Sequence, residues 1–195
     1  MPYGDRMRPQ SREILPKLIL LALVCALSGC AATPEPAPPT SAPSPTETFT
    51  PVFANNDEAL AAATAAYAAY QEMNDVILQA GGQQPERIEP YVAAERLPVE
   101  IQEFQDFQNI QAHTVGASAF VITQLQSARY QTVEQTDIVV YLCDDLSEVD
   151  MVDPAGMSLL AGDTSRRTPF EVRFKFEGGV LVLYGRDFWN GGGVC

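Results

Sequence analysis

The side chains that could do chemistry in this 195-residue chain are few. A single histidine, His113, sits in Ala112-His113-Thr114, where a helical pattern gives way to a strand pattern. One imidazole serves as a general base only when a second group orients it. No such partner is marked locally, so a structural or solvent-edge histidine is the simpler reading. Tyr67, Tyr70 and Asn74 share one face of a helical segment, and Phe104, Phe107 and Phe174 are the aromatic residues that could join them. Such a set lines either a ligand cavity, oriented by the amide and the two hydroxyls, or an ordinary core. Asp144, Asp145, Glu148, Asp150, Asp153 and Asp163 form the most acidic stretch. Its spacing lacks the sixth-position Gly and twelfth-position Glu of an EF-hand loop, which favours solvated loop charge over calcium. The remaining candidates are the thiols of Cys25, Cys30, Cys143 and Cys195.

Cys30 has the most specific context. Arg6, Arg8, Arg12 and Lys17 precede an apolar run from Leu18 to Ala26, and Leu27-Ser28-Gly29-Cys30 follows. About a dozen apolar residues fall short of the roughly 20 that span a bilayer, so the segment reads as a secretory signal. Leu27-Ser28-Gly29-Cys30 resembles the lipobox of bacterial lipoproteins. That resemblance implies cleavage before Cys30, a diacylglyceryl thioether on its sulfur, and a location on the extracytoplasmic face of the cell membrane. Two acyl chains anchor stably where one does not.

Without residues 1–29 the chain keeps eight basic and 23 acidic residues, a net charge of about −15. So acidic a surface repels phosphates and anionic headgroups, which excludes nucleic acid as a partner and leaves lipid to supply the membrane attachment. With Cys25 removed and Cys30 lipidated, Cys143 and Cys195 are the thiols left in an oxidising compartment, and they can pair. Closing a loop of this length stabilises by about 4 kcal/mol in the chain-entropy model and ties down the C-terminus. A redox dithiol would need closer spacing and positive neighbours, whereas Cys143 is followed by two aspartates. One histidine and a paired cystine leave too few ligands for zinc. No nucleophile elbow, phosphate-cradling loop or dinucleotide fingerprint appears, so no cofactor is expected.

Three segments follow: a signal over 1–29, a lipidated Cys with a Pro/Ser/Thr-rich tether over 30–54, and a folded domain over 55–195. Proline-dense sequence favours extended polyproline II and reaches up to roughly 60 Å from the membrane. In the domain, Asn55-Asn56-Asp57-Glu58 can cap a helix over Ala59 to Ala80, closed by Gly81-Gly82. Leu60, Ala63, Tyr67, Tyr70, Asn74, Ile77 and Leu78 make its inward face. Shorter helices are expected over Glu86 to Ala94 and Val99 to Gln108, the second with Ile101, Phe104, Phe107 and Gln108 inward and Glu100, Glu103 and Asp106 wet. Strands are expected over Thr114 to Leu125 and Asp137 to Cys143, then a hairpin from Phe170 through Gly178-Gly179 to Tyr184, which Arg186 to Trp189 could prolong.

One long N-terminal helix, two shorter helices and a curved antiparallel sheet make an α+β order of elements similar to the cone-shaped nuclear transport factor 2-like superfamily. The domain also resembles small actinobacterial cell-envelope lipoproteins in Leu142-Cys143-Asp144-Asp145, Ser147-Glu148-Val149-Asp150, Pro154-Ala155-Gly156 and Gly192-Gly193-Val194-Cys195. These resemblances imply fold and location. Isomerases and dehydratases of the cone fold pair an Asp or His acid/base with a Tyr donor, but no local motif here marks such a pair, so no catalytic residue is assigned. The expected function is a non-catalytic envelope module that binds a small apolar molecule or an envelope protein. The alternatives are a cone-fold enzyme using Asp75 or Asp106 with Tyr67 or Tyr70, and a purely structural assembly protein. Cys30→Ala is expected to move the protein from the membrane pellet to the soluble fraction, and unchanged fractionation would refute the lipobox reading.

Overall fold

A computed structural model of the protein describes residues 50–160 and 165–195. The signal segment, Cys30, most of the tether and Asp163 lie outside the described residues.

Helix α1 spans Asn56–Gln79. Its start is fixed by a reciprocal cap: Asn55 Oδ1 accepts from Glu58 N at 2.9 Å, and the Glu58 carboxylate accepts from Ala54 N at 2.7 Å. Its end is fixed by Gly81 and Gly82, both left-handed, with Gly82 N donating to Ile77 O. Ala59, Ala63, Tyr67, Tyr70, Gln71 and Ile77 are its buried residues, while Leu60, Asn74 and Leu78 are half-buried along the flanks.

The segment expected as a helix over Glu86 to Ala94 differs. Pro85–Tyr91 forms a 3-10 helix, because Pro90 lacks the N–H an α-helix would need and its ring clashes with the carbonyl four residues back. Val92 and Ala93 then run extended, with Ala93 N donating to Leu183 O at 2.8 Å. Helix α2 spans Leu97–Asn109, with Pro98 in the first turn, where a missing donor costs nothing. Phe104 is buried and Ile101, Phe107 and Gln108 are half-buried, and Glu103 and Asp106 are exposed. Glu100 corrects the expected pattern: it is 1% exposed rather than wet.

Among the described residues six strands follow: β1 His113–Val115, β2 Ala119–Arg129, β3 Asp137–Asp145, β4 Asp150–Val152, β5 Arg167–Glu177 and β6 Val180–Phe188. These strands pair antiparallel with one another; β1 pairs with β4, and the main sheet has the order β2-β3-β5-β6, to which Val92 adds a single parallel bridge at Leu183. The single strand expected from Thr114 is divided at Gly116, which has φ 93° and lies so close to the Glu148 carbonyl that a Cβ would stand 1.9 Å from its oxygen. β1 therefore leaves for β4 while β2 joins β3. β3 is buried on both faces, with Ile138, Val140 and Leu142 in the core beneath the helices. Phe170, Val172 and Phe174 continue that core on β5, and the left-handed Gly178 and Gly179 turn the chain into β6. Opposite Arg173 and Phe174 the ladder slips, from Gly185 to Leu183, so Tyr184 is an extra residue in β6. The fold is thus α+β, with its helices against one face of a four-stranded antiparallel sheet. Among the described residues no helix is long and apolar enough to cross a membrane.

The far face of the sheet carries the C-terminal segment. Trp189 packs on Tyr141 at 4.3 Å between ring centroids, Val194 is buried, and Cys195 is bonded to Cys143 with Cα atoms 5.3 Å apart. The native protein should resist thiol alkylation at Cys143 and Cys195 until reduced. Cys195→Ser is expected to lower unfolding free energy by about 2–5 kcal/mol in denaturant titration, and a change below about 0.5 kcal/mol would refute a stabilising role for the bond.

Candidate functional site

Two aromatic hydroxyls one turn apart on α1 each meet a buried carboxylate. Tyr67 Oη donates to the Asp144 carboxylate, 2.8 Å from both oxygens, and Tyr70 Oη donates to Glu100 Oε2 at 3.0 Å. An arginine balances each acid. Arg186 donates from one Nη to Asp144 Oδ2 at 2.5 Å and from Nε to Tyr67 Oη at 3.2 Å, while Arg96 Nε reaches Glu100 Oε1 at 2.7 Å. The guanidinium of Arg186 lies 3.5 Å from the centroid of the Phe170 ring.

Strand register explains why these groups converge. Asp144 has the same parity as Leu142, Val140 and Ile138, so it points toward α1 instead of joining the loop acids that follow. Arg186 depends on the extra residue at Tyr184. Before it Leu181 and Leu183 face the helices; after it the inward set becomes Arg186 and Phe188, opposite Val172 and Phe170. A β-bulge re-aims side chains in this way. Without it Gly185 and Asp187 would face inward, and Asp144 would be buried without a cation.

Burial raises the pKa of Tyr67, with Asp144 adding to the rise and Arg186 opposing it. Burial likewise places Tyr70 well above the usual phenol range, reinforced by Glu100. For Arg186 burial opposes the charge, but Tyr67 and Tyr70 where ionised, and the Asp144 carboxylate throughout, outweigh it and raise its pKa. Each tyrosine therefore stays neutral in the folded state and acts as a hydrogen-bond donor to its carboxylate.

A cavity of about 140 Å³ opens beside this network, between α1, the end of β3 and the loop after it. Tyr67, Tyr70 and Asn74, three of the residues singled out from sequence, line it. The other three do not: Phe104 and Phe174 are core residues, and Phe107 is half-buried away from the cavity. Asp75, named from sequence as a partner for the tyrosines, is also on the wall; Arg186, Gln71 and Thr114 are wall residues that sequence reasoning missed, and Asp144 was read there as loop charge. The even spacing of Asp144 from Leu142 was a usable signal for the acid. Nothing in the sequence marks the bulge that turns Arg186 inward.

Of the carboxylates proposed as partners of the tyrosines, Asp75 shares the cavity wall with them but bonds to neither, and Asp106 lies away from it. Asp75 accepts from Ser118 N at 2.9 Å and Ser118 Oγ at 2.8 Å, capping the turn into β2, and Asp106 is exposed, accepting from Gln102. In the acidic stretch Asp145 accepts from Ser147 N, Asp150 from Ser158 Oγ, and Asp153 from Ala155 N and Met157 N, the local turn bonding typical of aspartate. His113 is half-buried in β1 opposite Val152. Among the described residues no group of three His, Cys, Asp or Glu side chains is placed to hold a metal ion.

The fold and site together define an α+β domain with a small cavity between a helix and its sheet, its wall carrying one arginine and two aspartates among apolar side chains. No family model and no curated protein matches the chain. Among solved structures it is similar to the intermembrane space region of the chloroplast protein ARC6, at 8% identity and a TM-score of 0.47, over 65% of this chain and 95% of that one.

Arg186→Met leaves Asp144 buried without its cation and is expected to cost about 3–5 kcal/mol in urea titration, with much of the loss recovered in Arg186→Met/Asp144→Leu. A cost below about 1 kcal/mol would show that the pair is not buried. The tyrosines make a second prediction. Because folding raises their pKa values, the stability they contribute is fully present below pH about 10, the unfolded value, and is lost as pH rises above it. Ultraviolet titration should show Tyr67 and Tyr70 ionising only as the protein unfolds in alkali, and tyrosinate forming at these positions in the folded protein near pH 10 would contradict it.

Proposed function

We propose that the protein is a non-catalytic, lipid-anchored binding module of the cell envelope, a cone-like domain of the nuclear transport factor 2-like kind held at the extracytoplasmic membrane surface through Cys30. The supporting observation is the cavity between α1 and the sheet, lined by Tyr67, Tyr70 and Asn74. The acids on its wall are occupied: Asp144 is matched by Arg186 and Tyr67, and Asp75 accepts from Ser118 N and Ser118 Oγ. Groups so paired hold a cavity open and oriented, and neither carboxylate is free to take a proton from a substrate. The disulfide suits an oxidising, extracytoplasmic setting. The resemblance of its short motifs to those of actinobacterial envelope lipoproteins supports the same location.

A cone-fold enzyme is the second reading, and the observation that favours it is the presence of a carboxylate, Asp144, hydrogen-bonded to a tyrosine at the cavity wall. Membrane-extracted mature protein, denatured and analysed by mass spectrometry, is expected to release a small molecule. Val149→Phe, which fills the cavity from its apolar side, is expected to reduce that yield at least tenfold. Native protein that carries nothing, or a yield unaffected by Val149→Phe, would overturn the binding-module reading.

A further inference from the structure

The cavity wall carries hydrogen-bonding capacity that the protein itself does not use. A guanidinium has five N–H donors. Arg186 directs Nε to Tyr67 and one Nη to Asp144, and among the described residues no acceptor meets its other Nη. Its side chain is 24% exposed and lies flat against Phe170, so this unused edge is held in one orientation. The Asn74 amide and the Thr114 hydroxyl, both half-buried on the same wall, also meet no partner among the described residues.

Size and charge narrow what could use these groups. About 140 Å³ is room for four or five waters at roughly 30 Å³ each, below the roughly 300–1,000 Å³ of pockets for larger ligands. The wall bears one cation, Arg186, against the carboxylates of Asp144 and Asp75. An added anion therefore meets net repulsion, and a cation meets the guanidinium directly. A wholly apolar occupant would cover Leu78, Leu146 and Val149 well, but would strip water from Arg186, Asn74 and Thr114 without replacing it.

We propose that this cavity binds a small uncharged molecule bearing an amide or carbonyl group, whose oxygen accepts from the unused edge of Arg186 while Asn74 and Thr114 hold its other polar end. The inference rests on the reading of the cavity as the ligand site and replaces the apolar ligand expected from sequence with a polar one. Three probes of matching size separate the possibilities: acetamide, its anionic counterpart acetate, and xenon. The full-length protein in detergent micelles, labelled with nitrogen-15, reports binding through the side-chain signals of Arg186 Nε and Asn74 Nδ2. Acetamide is expected to shift both signals saturably, acetate to bind at least tenfold more weakly, and xenon to leave them unchanged. Asn74→Leu and Thr114→Val, each a single change on the wall away from the ion pair, are each expected to weaken acetamide about tenfold, the loss of one hydrogen bond. Acetate or xenon binding as tightly as acetamide would overturn the ligand class and leave a binding cavity standing. No saturable shift with any of the three would overturn the class and the binding-module reading together.

Discussion

Asp144 is the constraint around which the rest of this domain is arranged. A carboxylate 4% exposed in a sheet, with Leu142 beside it on its own strand and Phe120 and Thr168 opposite it on the strands either side, is costly unless its charge is matched and its oxygens accept hydrogen bonds. Arg186 supplies the charge and Tyr67 the second donor. Meeting that demand fixes three things at once: the rotation of α1 about its axis, the register of β6 against β5, and the stacking of a guanidinium on Phe170. Apolar packing alone would tolerate small slips in any of them, whereas a buried ion pair does not.

The backbone shows where that demand is accommodated. Two irregularities deliver the site: the extra residue at Tyr184, which reverses the parity of β6, and the break at Gly116, which sends β1 to β4. The second brings Thr114 and the Leu146–Val149 loop over the end of β3, so the cavity has a wall where a continuous β1–β2 strand would have left open sheet. Neither irregularity is a regular element of secondary structure, and both position groups that line the cavity. Gly185, beside the bulge, has a separate reason to be glycine: a Cβ there would lie 2.4 Å from Nε of Arg173, which crosses it on the outer face.

What could be read from sequence follows the same division. Repetitive signals were legible: the Asn55 cap, the Gly81-Gly82 stop, the alternation of Phe170, Val172 and Phe174, and the Gly178-Gly179 turn each act through local chemistry. The placement of Tyr67, Tyr70 and Asn74 on one wall came from helical spacing alone. The failures are where a long-range partner decides. Glu100 reads as a wet residue until Tyr70 and Arg96 are known to meet it, and Asp144 reads as loop charge until Arg186 is known to face it. The helix at Glu86 is a different case: it lies where the sequence places it, but Pro90 makes it 3-10 and ends it at Tyr91.

The adjacency of Cys143 and Asp144 links the two faces of the sheet. Consecutive residues on a strand point to opposite sides, so the disulfide clamps the C-terminal segment to the outer face at the same point on β3 where the ion pair holds α1 and β6 to the inner one. β3 is paired along its length with β2 and β5 and buried on both sides. Anchoring both constraints there means that neither can relax by bending its own support. A cavity bordered by that strand has a rigid floor, while its other wall, the Leu146–Val149 loop, is held by Arg166, which donates to the carbonyls of Val149 and Ser147. Rigid floor and tied loop together keep the unused edge of Arg186 open, because neither side can collapse onto it and satisfy it from within.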